Sequence, residues 1–203
     1  KRLVFASSCA VYGDLPQLPK REDMPTRPLS PYAVSKLNGE TYTCLYSDLY
    51  GLETVCLRYF NVFGPRQDPS SPYSGVISIF MHKAARDELT TIYGDGEQYR
   101  DFVYVADVVR ANLQAAIRQD IAGVVVNVGT GSSVTINQLW KNIAKLAGVE
   151  TESARATERP GDIRESIADI SRAHEVLAYE PKHSFIEGLE QTWEWYRRKS
   201  ARQ

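Results

Sequence analysis

The chain has 203 residues, with 24 Lys+Arg against 25 Asp+Glu, a formal net charge of −1, and 43% hydrophobic residues. The near-balance of charge excludes the basic surface that drives nucleic-acid binding, and no apolar stretch reaches the roughly 18 residues that span a bilayer. The three cysteines, Cys9, Cys44 and Cys56, cannot all pair and match no zinc spacing, which points to a reducing, cytoplasmic setting.

Arg2-Leu3-Val4-Phe5-Ala6 reads as a buried strand of an α/β sheet. Neither an initiator Met nor a signal-peptide pattern precedes it, and a domain rarely begins inside a core strand, so further sequence is expected upstream of Lys1. Residues 14–30 are a polar, Pro-rich connection. Ser30-Pro31 then opens a helix, with Ser as N-cap and Pro at its first position. Ala33, Leu37, Leu45 and Leu49 fall roughly on one face of it, and Gly51 closes it. Glu53–Tyr59 reads as the next strand, and the strand–helix–strand order implies a parallel sheet.

Residues 61–74 are a loop rich in Pro, Ser and Gly. A helix is predicted at about 75–87, with short strands near 91–93 and 102–105. Asp107 is expected to cap a helix running to about Arg118. Val124–Val128 is an apolar run of strand type, and Thr135-Ile136-Asn137-Gln138 is a capping box opening a helix to about Leu146. The remainder predicts a polar loop near 157–165, a short helix near 170–177, and a last helix opened by Ser184-Phe185-Ile186-Glu187.

Two groups of residues carry chemistry. Tyr32-Ala33-Val34-Ser35-Lys36 places a phenol and an ammonium one helical turn apart on one face. A phenol titrates near ~10 and is a poor base at neutral pH, but an adjacent ammonium favours the phenolate, which can take a proton from an alcohol. Alone, the pair is equally a surface Tyr above a surface Lys. Ser7-Ser8-Cys9-Ala10-Val11-Tyr12-Gly13 directly follows the first strand, where parallel sheets bind ligands, and two hydroxyls there can hold a substrate oxygen. An ordinary Ser-rich turn closed by Gly13 reads the same way.

Ser8 lies 24 residues before Tyr32, at opposite ends of one crossover. Together with Arg58-Tyr59-Phe60-Asn61-Val62-Phe63-Gly64-Pro65, the block from Tyr99 to Val108, Asn127-Val128-Gly129 and Arg159-Pro160-Gly161-Asp162, these groups resemble the extended short-chain dehydrogenase/reductases. Within them the resemblance is to nucleotide-sugar 4-epimerases, over their C-terminal two-thirds. It implies part of a Rossmann-type doubly wound parallel sheet beside a smaller α/β substrate lobe. Residues 1–64 would belong to the NAD-binding domain and 65–203 mainly to the UDP-sugar lobe, with about 101–128 returning to the first.

The resemblance also implies roles. Tyr32 would be the general base, Lys36 its partner and a contact of the cofactor ribose, and Ser8 the hydrogen-bond partner of the sugar 4-oxygen. NAD would accept hydride from C4, and the 4-keto sugar would turn about its diphosphate and take hydride back on the other face. Ser7 and Tyr59 would join the cofactor contacts. Asn61 and Arg100 would hold the diphosphate with Arg159, Asp162 would contact ribose, and Tyr93 would lie on uracil. Each of these also reads as a common turn or surface residue. Ala10 stands where family dehydratases and decarboxylases carry an acid, which favours epimerisation over a decarboxylase or a dehydratase, while the intact Tyr32, Lys36 and Ser8 oppose a non-catalytic sugar-nucleotide binding module, which the absence of the upstream half would favour. Ser166 stands where a bulky residue restricts the sugar 2-substituent, so N-acetylated sugars (UDP-GlcNAc/UDP-GalNAc) are expected alongside UDP-Glc/UDP-Gal.

No Gly-rich pyrophosphate loop occurs in the chain, and Gly129-Thr130-Gly131 comes too late to be one. A fragment of this kind is expected to bind NAD poorly alone. A homodimer through the 31–50 helix is expected, because Tyr42, Leu45 and Tyr46 lie beyond what one sheet can cover.

Overall fold

The computed structural model describes residues 1–70, 75–150, 152–158 and 163–200. It is a mixed α/β chain. Strand β1 (Arg2–Ser8) runs into a 3-10 turn (Cys9–Tyr12), the 14–30 connection, and helix α1 (Pro31–Tyr50). Strand β2 (Glu53–Tyr59), the short β3 (Asn61–Phe63), helix α2 (Val76–Ala84) and β4 (Thr90–Tyr93) follow. Next come β5 (Tyr99–Arg100), β6 (Phe102–Tyr104), helix α3 (Val105–Ile117) and β7 (Val124–Val128). The chain continues through β8 (Val134–Thr135), α4 (Ile136–Ala147), β9 (Ser153–Ala156), β10 (Glu165–Ser166), α5 (Ser171–Leu177) and α6 (Phe185–Ser200).

Helix α1 starts as its sequence dictates. Ser30 is extended and its side chain accepts from the Ala33 amide, Pro31 occupies the first turn, and Gly51 ends the helix in the left-handed region at φ 65°. The Thr135–Gln138 capping box forms in both directions, and the Ser184–Glu187 pair does so at α6. Asp107 does not cap α3. Tyr104 is the N-cap there, and Asp107 lies in the first turn, fully buried. Its carboxylate accepts from the Lys182 and His183 amides at 2.9 and 3.1 Å and pairs with Arg110 at 3.1 Å, so it docks the chain entering α6.

The main sheet has the order β1-β2-β7, all parallel. Three smaller sheets, β3-β6, β4-β9 and β10-β5-β8, lie beyond it. One apolar core forms under the main sheet from Val55, Leu57, Val126 and Val128, with Val103, Val108 and Ala111 against them. A second joins α2, α4 and α6 through Phe80, Met81, Leu139, Trp140, Ile143 and Leu189. The 14–30 connection is fastened at its middle: the Lys20 amide donates to Ile167 O at 2.8 Å, and the Asp169 amide donates back to Lys20 O at 2.9 Å. Among the described residues no helix is long and apolar enough to cross a membrane.

Candidate active site

β1 delivers its C-terminal end to the mouth of the sheet, and successive residues of a strand point to opposite faces. Ser8 is the N-cap of the 3-10 turn. Its hydroxyl oxygen accepts from the Ala10 amide at 3.2 Å, and its own proton has no acceptor among the described residues. Ser7 faces the other way. It is buried, and its hydroxyl donates to Glu40 Oε2 at 2.7 Å.

Tyr32 sits in the first turn of α1 and is 40% exposed. The Lys36 ammonium lies 5.7 Å from the centre of its ring and donates to Ala6 O at 3.0 Å, two residues before Ser8. The helix and the strand end thus bring the phenol, the ammonium and the serine turn to one edge of the sheet. Ala10, in the turn, offers no acid or base there.

Glu40 is the third residue of the same helical face, one further turn along from Lys36. It is buried, and both its oxygens engage Arg58 of β2: Nε at 3.0 Å and Nη2 at 2.5 Å. The Arg58 guanidinium also lies 4.8 Å from the centre of the Tyr12 ring, and Tyr12 donates to Asn127 Oδ1 at 2.7 Å. Burial alone would lower the Arg58 pKa, but the Glu40 carboxylate and the Tyr12 ring hold it above its ordinary range. Register puts Ser7, Arg58 and Asn127 in one row across the three strands, one residue below the row of Ser8, Tyr59 and Val128.

The second group gathers around Asp101. Its buried carboxylate accepts four hydrogen bonds, from Thr130 N and Oγ1 at 2.8 and 2.7 Å, Gly131 N at 3.0 Å and Ala168 N at 3.1 Å. Desolvation pushes this carboxyl above the ordinary carboxylate range against the pull of those donors. The Asn61 side chain donates to Asp101 O at 3.1 Å, and the Asp101 amide donates to Ser166 O at 2.8 Å. Ser166 pairs with Arg100 across β10 and β5, is 8% exposed, and its hydroxyl meets the Cys9 thiol. Burial pushes that thiol up to about 11. Ser166 is therefore a strand residue beside the serine turn.

The remaining expected residues divide. Tyr93 is half-buried at the end of β4, and its carbonyl accepts from Gln98 Nε2 at 2.9 Å. Arg100 is half-buried and donates to the carbonyls of Tyr99 and Arg164 at 2.9 and 3.1 Å. Ser7 and Tyr59, expected at the cofactor, commit their hydroxyl protons inside the chain, Ser7 to Glu40 and Tyr59 to Asn112 at 2.9 Å. Arg159 and Asp162 lie outside the described residues. Glu40, Arg58 and Asp101 are the functional candidates that residue types alone did not single out. A helical wheel puts Glu40 beneath Lys36, which is the one signal that could have found it.

A model described as the NAD dependent epimerase/dehydratase family matches residues 1–129. A putative UDP-glucose 4-epimerase of Methanocaldococcus jannaschii is 43% identical over 195 residues, covering 96% of this chain and 62% of that protein. Two solved structures align over 98% of this chain and 64% of their own, each with a TM-score of 0.93 and 42% identity. They are the UDP-glucose 4-epimerase of Thermotoga maritima with UDP-glucose, and the UDP-N-acetylglucosamine 4-epimerase of Methanobrevibacter ruminantium in complex with UDP-N-acetylmuramic acid. The chain thus spans 62–64% of the length of the proteins it matches.

Proposed function

The chain belongs to the NAD dependent epimerase/dehydratase family, and from that premise we propose that it carries the proton-transfer site and sugar lobe of an NAD-dependent UDP-hexose 4-epimerase. The observation that carries the reading is the Tyr32–Lys36 pair at the strand edge that also presents Ser8. A carbinol carbon that gives up hydride must lose its hydroxyl proton at the same time. Tyr32 takes that proton from the sugar 4-hydroxyl and returns it after the ring has turned. Lys36 stabilises the negative charge that develops on the phenol oxygen. Ser8, with a hydroxyl proton available, holds the 4-oxygen in line.

The residues present fit the reacting end of the cofactor. Lys36 uses one acceptor, Ala6 O, and keeps donors for ribose hydroxyls beside an exposed Tyr32. NAD, when bound, supplies the hydride acceptor.

Asn61, Arg100 and Tyr93 are assigned to the UDP moiety, together with Arg159 and Asp162. Val103, Val108, Ala111, Val126 and Val128 share a core with Val55 and Leu57, which supports the return of about 101–128 to the part formed by residues 1–64. A small Ser166 next to the serine turn supports acceptance of a 2-N-acetyl group. Tyr42, Leu45, Tyr46, Leu49 and Tyr50 are all exposed on α1, which supports a homodimer through this helix. The test is Tyr32→Phe in the protein at its full encoded length. Turnover of UDP-hexose should fall by at least about 10²-fold while UDP-hexose binding persists; equal turnover by the variant would remove Tyr32 from the mechanism.

A further inference from the structure

Two hydroxyls, Tyr32 on α1 and Ser8 at the end of β1, must be held at one distance for the proton transfer assigned above. Two hydrogen bonds join α1 to β1 directly, Lys36 to Ala6 O and Ser7 to Glu40, but each is a single point of contact about which a helix packed on a sheet can still roll. One residue touches both carriers from the strand beside β1. Arg58 grips Glu40, on the face of α1 that bears Tyr32 and Lys36, through two nitrogens at 3.0 and 2.5 Å. Its guanidinium also lies 4.8 Å from the centre of the ring of Tyr12, the last residue of the turn that Ser8 opens. Ser7, the neighbour of Ser8, closes the circuit by donating to Glu40 at 2.7 Å.

We propose that Arg58 and Glu40 are positioning residues that set the separation of the Tyr32 and Ser8 hydroxyls; the proposal rests on the epimerase reading of those two groups. The chemistry favours this over a stabilising role. Both side chains are only 6% exposed, and a buried ion pair of this kind is often matched or exceeded in stability by apolar residues of similar volume. What the apolar pair lacks is direction. A planar fork meeting a carboxylate on two parallel bonds fixes both translation and roll of the helix that carries the carboxylate. Lysine, a point charge, holds one oxygen and leaves roll free.

The experiment compares four forms at full encoded length: wild type, Glu40→Gln, Arg58→Lys, and the apolar double variant Arg58→Met/Glu40→Leu, which keeps the space filled. For the double variant we expect an unchanged or higher melting temperature. Its kcat for UDP-hexose should fall about a hundredfold, the scale of a misplacement of roughly 1 Å, with KM and UDP-hexose affinity changed less than threefold. The two single variants should lie between it and wild type, because each keeps one bond of the fork. A folded double variant with kcat within threefold of wild type overturns the positioning role and leaves the epimerase reading standing. A wild-type protein that binds UDP-hexose and NAD but never converts one hexose into its 4-epimer overturns both together.

Discussion

Replacing Asp101 by Asn tests whether one buried carboxylate organises the region proposed to hold the UDP-sugar. Oδ1 accepts from Thr130 N and Oγ1, and Oδ2 from the amides of Gly131 and Ala168. The Asn amide has one oxygen and one NH2: with the NH2 at the Oδ2 position the Gly131 and Ala168 amides both lose their acceptor, and with it at the Oδ1 position only the Thr130 amide does, because the Thr130 hydroxyl can turn to Ser132 O and accept instead. The second orientation therefore costs less, and its one buried donor left unsatisfied costs about 1–3 kcal/mol; relief from burying a charge offsets part of it, leaving about 1–2 kcal/mol. For a chain of this size that is a fall in Tm of about 2–8 °C. Calorimetry reads it directly. Asn61 and Ser166 hang on the main chain of Asp101, so KM for the UDP-hexose should rise more than kcat falls. A Tm at or above that of wild type would falsify the four-donor account.

Three further outcomes are expected. Ser166→Tyr should cut kcat/KM for UDP-GlcNAc by about 10–100-fold while leaving UDP-glucose nearly untouched, since a filled pocket excludes an added group at about 1–3 kcal/mol; equal losses for both sugars would show that the side chain does not border the 2-substituent. Cys9 is half-buried, and desolvation pushes its thiol up to about 11, so the unreactive thiol form prevails at pH 8. Iodoacetamide followed by mass spectrometry should therefore label it much more slowly in native protein than after denaturation; equal rates would contradict the desolvation. Asp107→Asn weakens the ion pair to Arg110 and one of two amide contacts. It should lower Tm by several degrees with kcat at 25 °C unchanged, and a matching loss of kcat would tie α6 to the chemistry.

What was legible in the sequence was whatever is decided within a turn or two of chain. Ser30, Pro31 and Gly51 bound α1 because caps and φ preferences act locally, and the same holds for Thr135 with Gln138. The Tyr32–Lys36 pair was visible because helical spacing alone makes the two neighbours. Asp107 misled because an acid near a helix start suits both a cap and a first turn, and the amides it serves lie 75 and 76 residues away. The Glu40–Arg58–Ser7 circuit was hidden for the same reason: its partners are 18 and 33 residues apart and meet only through strand register. The inward direction of the Ser7 side chain could have been read from alternation, since it shares a face with Phe5, whose ring packs where Gly39 of α1 leaves room. Asp101 looked like one letter of a block, and only the arrival of Thr130 and Ala168 made it a hub.

The fastening of Lys20 between Ile167 and Asp169 has a dynamic consequence. Lys20 lies midway along the segment whose ends are the Ser8 turn and the Ser30 cap, and its anchor follows Ser166 directly. The tether therefore couples the two ends of that segment to the strand that carries Ser166, so a displacement of β10 would be passed to the Ser8 turn and to the start of α1. Amide hydrogen exchange at Lys20 and Asp169 should be as slow as in the main sheet, and should stay slow whether or not a sugar nucleotide is bound.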